Sequence, residues 1–97
     1  ALACDIRIAV PTAKFFYPVM KLGFLPQPSD PGRLAALVGP ARAKLILMAG
    51  QKVQSDEALA MGLIDRIEDD VVAVARALTT DTCSASPDHI MGIKTLI

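Results

Sequence analysis

The stretch Ala13–Leu34, A-K-F-F-Y-P-V-M-K-L-G-F-L-P-Q-P-S-D-P-G-R-L, decides how the rest of the chain is read. It holds all three phenylalanines, the only tyrosine and four of the seven prolines. Pro18, Pro26, Pro28 and Pro31 each fix their own φ and restrict the residue before them. The segment is therefore neither one continuous helix nor a central strand. It reads as a stiff, partly apolar connection with a few polar groups between rigid walls. Such a connection builds one wall of a ligand pocket, or simply packs the core. Tyr17 and Asp30 bracket it and are the only acid–base candidates within it. Asp30 is equally well explained as a helix cap.

Working outward toward the N-terminus, C-D-I-R-I-A-V at Cys4–Val10 alternates. Ile6, Ile8 and Val10 share one face, and Asp5, Arg7 and Ala9 share the other. The pattern predicts a strand with one buried side, broken by Pro11 and Thr12. Asp5 and Arg7, same-face neighbours, are expected to form a structural ion pair. Ala1–Ala3 reads as the tail of a helix, and Lys14–Tyr17 as a short extended piece. Gly23 supplies a positive φ or a close backbone approach.

Toward the C-terminus the chain turns helical. Ser29 or Asp30 caps a helix with Pro31 near its start and a stripe of Leu34, Leu37 and Val38, ended by Gly39. Pro40 opens a second helix that places Ala43, Ile46 and Leu47 on one face and stops at Gly50. Gln51–Gln54 is an extended link. Ser55 is read as the N-cap of a third helix, with Asp56 and Glu57 in its first turn. Leu63–Ile67 reads as a brief strand. Val71–Leu78 is helical, Thr79–Ser86 is polar and expected to loosen, and Pro87 starts a last helix along which Ile90, Ile93 and Ile97 line up.

Composition limits the function classes. A chain of 97 residues is one domain at most. Its hydrophobic fraction of 53% and mean hydropathy of +0.44 are high for a small domain with much surface per residue. Apolar surface is thus expected to be buried against something else. No apolar run approaches the length of a membrane span, so no membrane association is expected. Ten basic and ten acidic residues balance and form no basic patch, which disfavours nucleic-acid binding. Cys4 and Cys83, without ligand spacing, read as reduced thiols in an intracellular protein, with a disulfide as the minor alternative. No metal site is expected, and the single His89 near the start of the last helix is not a catalytic candidate. The chain opens directly into an apolar pattern without an initiating Met, which is read as a piece of a longer protein.

Several segments together resemble the crotonase superfamily, the enoyl-CoA hydratase/isomerase family. They are A-C-D-I-R-I-A at Ala3–Ala9 with A-K-F at Ala13–Phe15, and P-V-M-K-L-G-F-L-P at Pro18–Pro26. R-L-A-A-L-V-G-P-A-R-A-K at Arg33–Lys44 follows, then L-M-A-G-Q-K-V-Q-S-D-E-A-L-A-M-G-L-I-D-R-I at Leu47–Ile67. The resemblance covers nearly the whole chain in order.

It implies an α/β fold, the last β-β-α turn of a crotonase-like spiral followed by C-terminal oligomerisation helices. Residues 1–39 would be that turn with its active-site wall loop, and residues 40–97 the helical C-terminal region. It implies a homotrimer or hexamer together with the N-terminal half of the parent, in the cytoplasm. The implied substrate is an acyl-CoA thioester, processed through an enolate held in an oxyanion hole. Coenzyme A enters as part of the substrate, with no separate cofactor. The oxyanion hole and one hydratase glutamate would lie upstream of Ala1.

The second hydratase glutamate would fall at Val19, and valine transfers no proton. The family's glycine-rich loop is replaced by Gln27, Pro28, Ser29, Asp30 and Pro31. The resemblance therefore implies an isomerase, decarboxylase, hydrolase or lyase of this fold, as in fatty acid metabolism, rather than a standard two-glutamate hydratase. The alternative is a non-catalytic assembly module. Pro18, Val19, Leu25 and Pro26 are expected to line the acyl pocket, with Tyr17 and Asp30 as the polar groups. The isolated chain is expected to be inactive.

Overall fold

A computed structural model describes residues 1–97. Four two-residue strands and seven helices alternate along the chain. They are β1 (Ile8–Ala9), β2 (Lys14–Phe15), α1 (Val19–Leu22), α2 (Asp30–Val38), α3 (Pro40–Leu47), β3 (Val53–Gln54), α4 (Ser55–Met61), β4 (Arg66–Ile67), α5 (Val71–Leu78), α6 (Thr80–Ser84) and α7 (Pro87–Leu96). β1 pairs with β4 in parallel, Ile8 opposite Arg66 and Ala9 opposite Ile67. β2 pairs with β3 antiparallel, Lys14 opposite Gln54 and Phe15 opposite Val53.

The core is small and lies where α2, α3 and α4 meet these strands. α2 contributes Leu34 and Val38, α3 contributes Ala43 and Ile46, and Val53, Ala58, Leu63 and Ile64 complete it. The α2–α3 corner follows from sequence. Gly39 takes φ +88°, a conformation costly for a side-chain-bearing residue, and its N–H closes on the Ala35 carbonyl at 2.8 Å. Pro40 then starts α3 at a position where a missing N–H costs nothing. Gly62 ends α4 in the left-handed region at φ +86°.

Only 10 of 97 residues are buried, and the radius of gyration is 15.2 Å with extents of 44 × 30 × 20 Å. A compact domain of this length has a radius of roughly 12–13 Å. α5, α6 and α7 bury no residue at all. The apolar excess seen in the composition is therefore displayed rather than buried: Met91, Ile93, Leu96 and Ile97 of the last segment are all exposed. No helix is long and apolar enough to cross a membrane.

Several sequence expectations change here. The strand expected over Cys4–Val10 shrinks to Ile8–Ala9, because only these residues find a β partner. Ile6 is 49% exposed, so the expected buried face is not made. Ala1–Ala3 is a turn closed by the Cys4 N–H on the Ala1 carbonyl, not a helix tail. Asp5 and Arg7 do not pair with each other. Arg7 meets Asp65 at 3.6 Å, and Asp5 meets Lys94 at 2.9 Å.

Ser55 is not a cap. It is the first residue of α4, and its buried hydroxyl lies 2.7 Å from the Val10 carbonyl and 3.1 Å from that of Ala13. Thr79–Ser86 does not loosen; most of it forms α6. The hydroxyls of Thr79 and Thr80 bond back to the Ala75 and Arg76 carbonyls, which keeps the chain coiled through the polar stretch. Cys4 and Cys83 are both free and exposed.

Candidate functional site

β2 carries the chain into the proline-rich segment, and Pro18 ends its extended run. The Val19 N–H closes on the Tyr17 carbonyl at 2.9 Å, and one turn of helix follows. Gly23 ends that turn at φ +76°, the positive value its position demands. The chain then folds back so that Gln27–Asp30 forms a turn, closed by the Asp30 N–H on the Gln27 carbonyl at 3.0 Å. Pro31 sits at the second position of α2.

This return brings together the two acid–base candidates of the segment. The Tyr17 hydroxyl donates to Asp30 Oδ2 at 2.6 Å. Asp30 makes no side-chain cap, and neither does Ser29, whose hydroxyl instead accepts from Arg33 at 3.2 Å. The capping explanation of Asp30 thus gives way to a side-chain partner 13 residues away. Both residues are half-buried. The phenol's pKa is raised, first by its hydrogen bond to Asp30 and then by desolvation and the nearby Asp30 carboxylate; the Gln27 backbone amide acts in the opposite sense. Tyr17 is accordingly a neutral phenol throughout the physiological range.

The pair faces a cleft of about 350 Å³. Phe15, Phe16, Leu34, Ile46 and Leu63 supply apolar walls, and Lys14 is the charged side chain at its edge. The size falls within the range of small-molecule sites, and the mix of apolar walls with few polar groups is typical of them. The other expected pocket residues are dispersed. Val19 is buried at 3% exposure, Leu25 is 90% exposed, and Pro26 is half-buried. Pro18 lines a neighbouring cleft of about 300 Å³ with Phe16, Met20 and Met48, where Lys52 Nζ stands 5.8 Å from the centre of the Phe16 ring.

The largest cavity, about 850 Å³, lies elsewhere, between the N-terminal segment and α6–α7. Ile6, Ile90, Ile93 and Ile97 give it an apolar lining, and the Asp5–Lys94 ion pair stands at its edge. Sequence reading did not find this cavity. The isoleucine spacing of α7 was visible, but its apposition to Asp5 and Ile6 is a contact between the two ends of the chain.

The sequence profile of the enoyl-CoA hydratase/isomerase family matches residues 1–97. A short-chain-enoyl-CoA hydratase of Clostridioides difficile is 46% identical over 67 residues, which is 69% of this chain and 43% of that protein. A probable enoyl-CoA hydratase of Bacillus subtilis is 33% identical over 100 residues, covering 100% of this chain and 39% of its own length. Among solved structures, Pseudomonas aeruginosa DspI superposes with a TM-score of 0.89 at 35% identity, over 99% of this chain and 40% of that one. The enoyl-CoA hydratase from Thermoplasma volcanium gives 0.84 at 33% identity, over 98% and 38%. The chain thus spans less than half the length of each of these proteins.

Proposed function

The chain belongs to the enoyl-CoA hydratase/isomerase family, and from that premise we propose that it is the C-terminal part of a protein that binds an acyl-CoA thioester. That protein processes the thioester through an oxyanion-stabilised enolate, by a route other than two-glutamate hydration. The observation that carries this reading is the Tyr17–Asp30 contact at 2.6 Å in an apolar cleft, two residues from buried Val19, the position at which the resemblance implies a hydratase glutamate. A proton-handling pair stands next to a position that handles none. The thioester oxyanion hole comes, in this reading, from residues that precede Ala1. Residues 1–39 then form the last spiral turn, and residues 40–97 the helical region that joins subunits into a trimer or hexamer in the cytoplasm. Leu25, almost fully exposed, would meet the acyl chain only when the N-terminal half is in place.

Calorimetric titration of the longer protein with an acyl-CoA tests the binding claim, and micromolar affinity is expected. Val19→Glu in the same protein is expected to raise crotonyl-CoA hydration by about tenfold or more. Hydration that stays unchanged would refute the assignment of position 19. The isolated 97-residue chain is expected to show no turnover.

A second reading has its own support. α5–α7 bury nothing, and the chain is more extended than a self-sufficient domain. A non-catalytic assembly module would have these properties. It predicts no thioester binding even in the longer protein.

A further inference from the structure

The Tyr17–Asp30 hydrogen bond has a direction. The phenol carries one proton, and that proton is committed to Asp30 Oδ2 at 2.6 Å. What Tyr17 Oη offers the cleft is therefore lone-pair density. A group in the cleft bonds to Tyr17 by donating to it, as a water or a hydroxyl does. A C–H group forms no comparable bond.

We propose that Tyr17 and Asp30 form a proton relay that activates an O–H donor held in the cleft, with Asp30 as the terminal base and Tyr17 as the neutral carrier. The inference rests on the acyl-CoA reading above and narrows it. The site takes a proton from oxygen, as in addition of water to an unsaturated thioester, rather than shuttling protons between carbons in a double-bond shift. It also supplies from position 30 the carboxylate that position 19 lacks.

The step balances. An O–H bond of the bound water breaks as its proton passes to Tyr17 Oη, while the proton already on Oη passes to Asp30 Oδ2. The phenol is neutral before and after, and Asp30 ends protonated. The electron pair left on the water oxygen forms a bond to the β-carbon of a 2-enoyl thioester, and the C=C pair moves into the thioester enolate. The α-carbon takes a proton from solvent and Asp30 releases one, for a net addition of one water. The raised pKa of the phenol suits this role, because the carrier never has to ionise. The nearby cation, exposed Lys14, lies at the edge of the same cleft and has no hydrogen bond to either member of the pair.

The test uses the longer protein with Tyr17→Phe, Asp30→Asn and the double variant, assayed for water addition to 2-enoyl-CoA substrates. Each single change is expected to lower kcat by about 100-fold with KM moved less than about threefold. The double variant should fall no further than the worse single one, since both members act as one unit. In mixed H₂O/D₂O, the unmodified protein should show two protons in flight. A Tyr17→Phe protein that keeps kcat within about threefold, while still binding thioester, overturns the relay and leaves the acyl-CoA reading standing. Absence of thioester binding by the unmodified protein overturns both.

A second measurement does not depend on turnover. Tyr17 is the only tyrosine of these 97 residues, so in the longer protein the difference in phenolate absorbance between the unmodified protein and Tyr17→Phe reports this one group. Asp30→Asn should move its titration midpoint down toward the ordinary tyrosine value. An unmoved midpoint overturns the relay.

Discussion

Ser55 offers the sharpest test of how this fold is held, because its two readings predict opposite responses to one substitution. The hydroxyl is 1% exposed and points at the carbonyls of Val10 and Ala13, 2.7 and 3.1 Å away. It ties the start of α4 to the turn between β1 and β2, and so fixes the strand that delivers Tyr17. Ser55→Ala removes one neutral hydrogen bond, worth about 1 kcal/mol. The Val10 carbonyl keeps a second partner, the Ala13 N–H at 3.1 Å, so the penalty for a stranded acceptor is only partial. Alanine returns up to about 0.5 kcal/mol as the better helix former. The net loss is about 1 kcal/mol.

Ser55→Asp is far worse. A carboxylate has no proton to donate, and it would be buried facing two carbonyl oxygens, at a cost of about 3–5 kcal/mol. Were Ser55 a helix cap, aspartate would serve as well as serine. Urea unfolding followed by circular dichroism measures both changes, as shifts in midpoint at constant slope. An aspartate variant as stable as the unmodified chain would refute the tie and restore the capping role.

Two further predictions follow the same logic. A Cβ at Gly62 would stand 3.0 Å from the Leu37 carbonyl oxygen, whereas one at Gly23 would meet nothing within 4 Å; both glycines have positive φ. Gly23→Ala should therefore cost about 1 kcal/mol and Gly62→Ala about 2–3 kcal/mol in urea unfolding, and equal costs would mean that the steric contact contributes nothing. Tyr17 has a raised pKa in the fold, so folding favours its protonated form. That stabilisation is complete below the unfolded value of about 10 and is lost as pH rises through the higher folded value. Thermal midpoints should fall more slowly with pH above 10 in Tyr17→Phe than in the unmodified chain, and identical profiles would count against the shift.

Much of the local structure was legible because it is encoded by short-range sterics. Gly23, Gly39, Gly50 and Gly62 all take positive φ, and Gly23, Gly39 and Gly62 each cap a helix end. Pro31, Pro40 and Pro87 each lie in the first turn of a helix. Leu34, Val38, Ala43 and Ile46, read from helical spacing, are buried as that spacing implied. The same motifs carried the family, since their order and gaps run through the whole chain. Tyr17 and Asp30 were singled out from sequence as acid–base candidates, with Asp30 equally well explained as a helix cap; their contact with each other was not foreseen.

The pairings that settle such questions join distant residues: Tyr17 with Asp30, Ser55 with the Val10 and Ala13 carbonyls, Arg7 with Asp65, and Asp5 with Lys94. A residue's φ preference and the period of its neighbours depend on a few adjacent residues, so the sequence by itself determined the helix boundaries marked by proline and glycine, at Pro31, Gly39, Pro40, Gly62 and Pro87, and which family the chain resembles. A hydrogen-bond or ion-pair partner depends on which segments the packed core brings within 3–4 Å, and Asp5 has two cations of comparable chemistry to choose from, Arg7 next but one and Lys94 at the far end. Only the tertiary structure made that choice, because a strand two residues long holds Arg7 against Asp65 and leaves Asp5 free to meet α7.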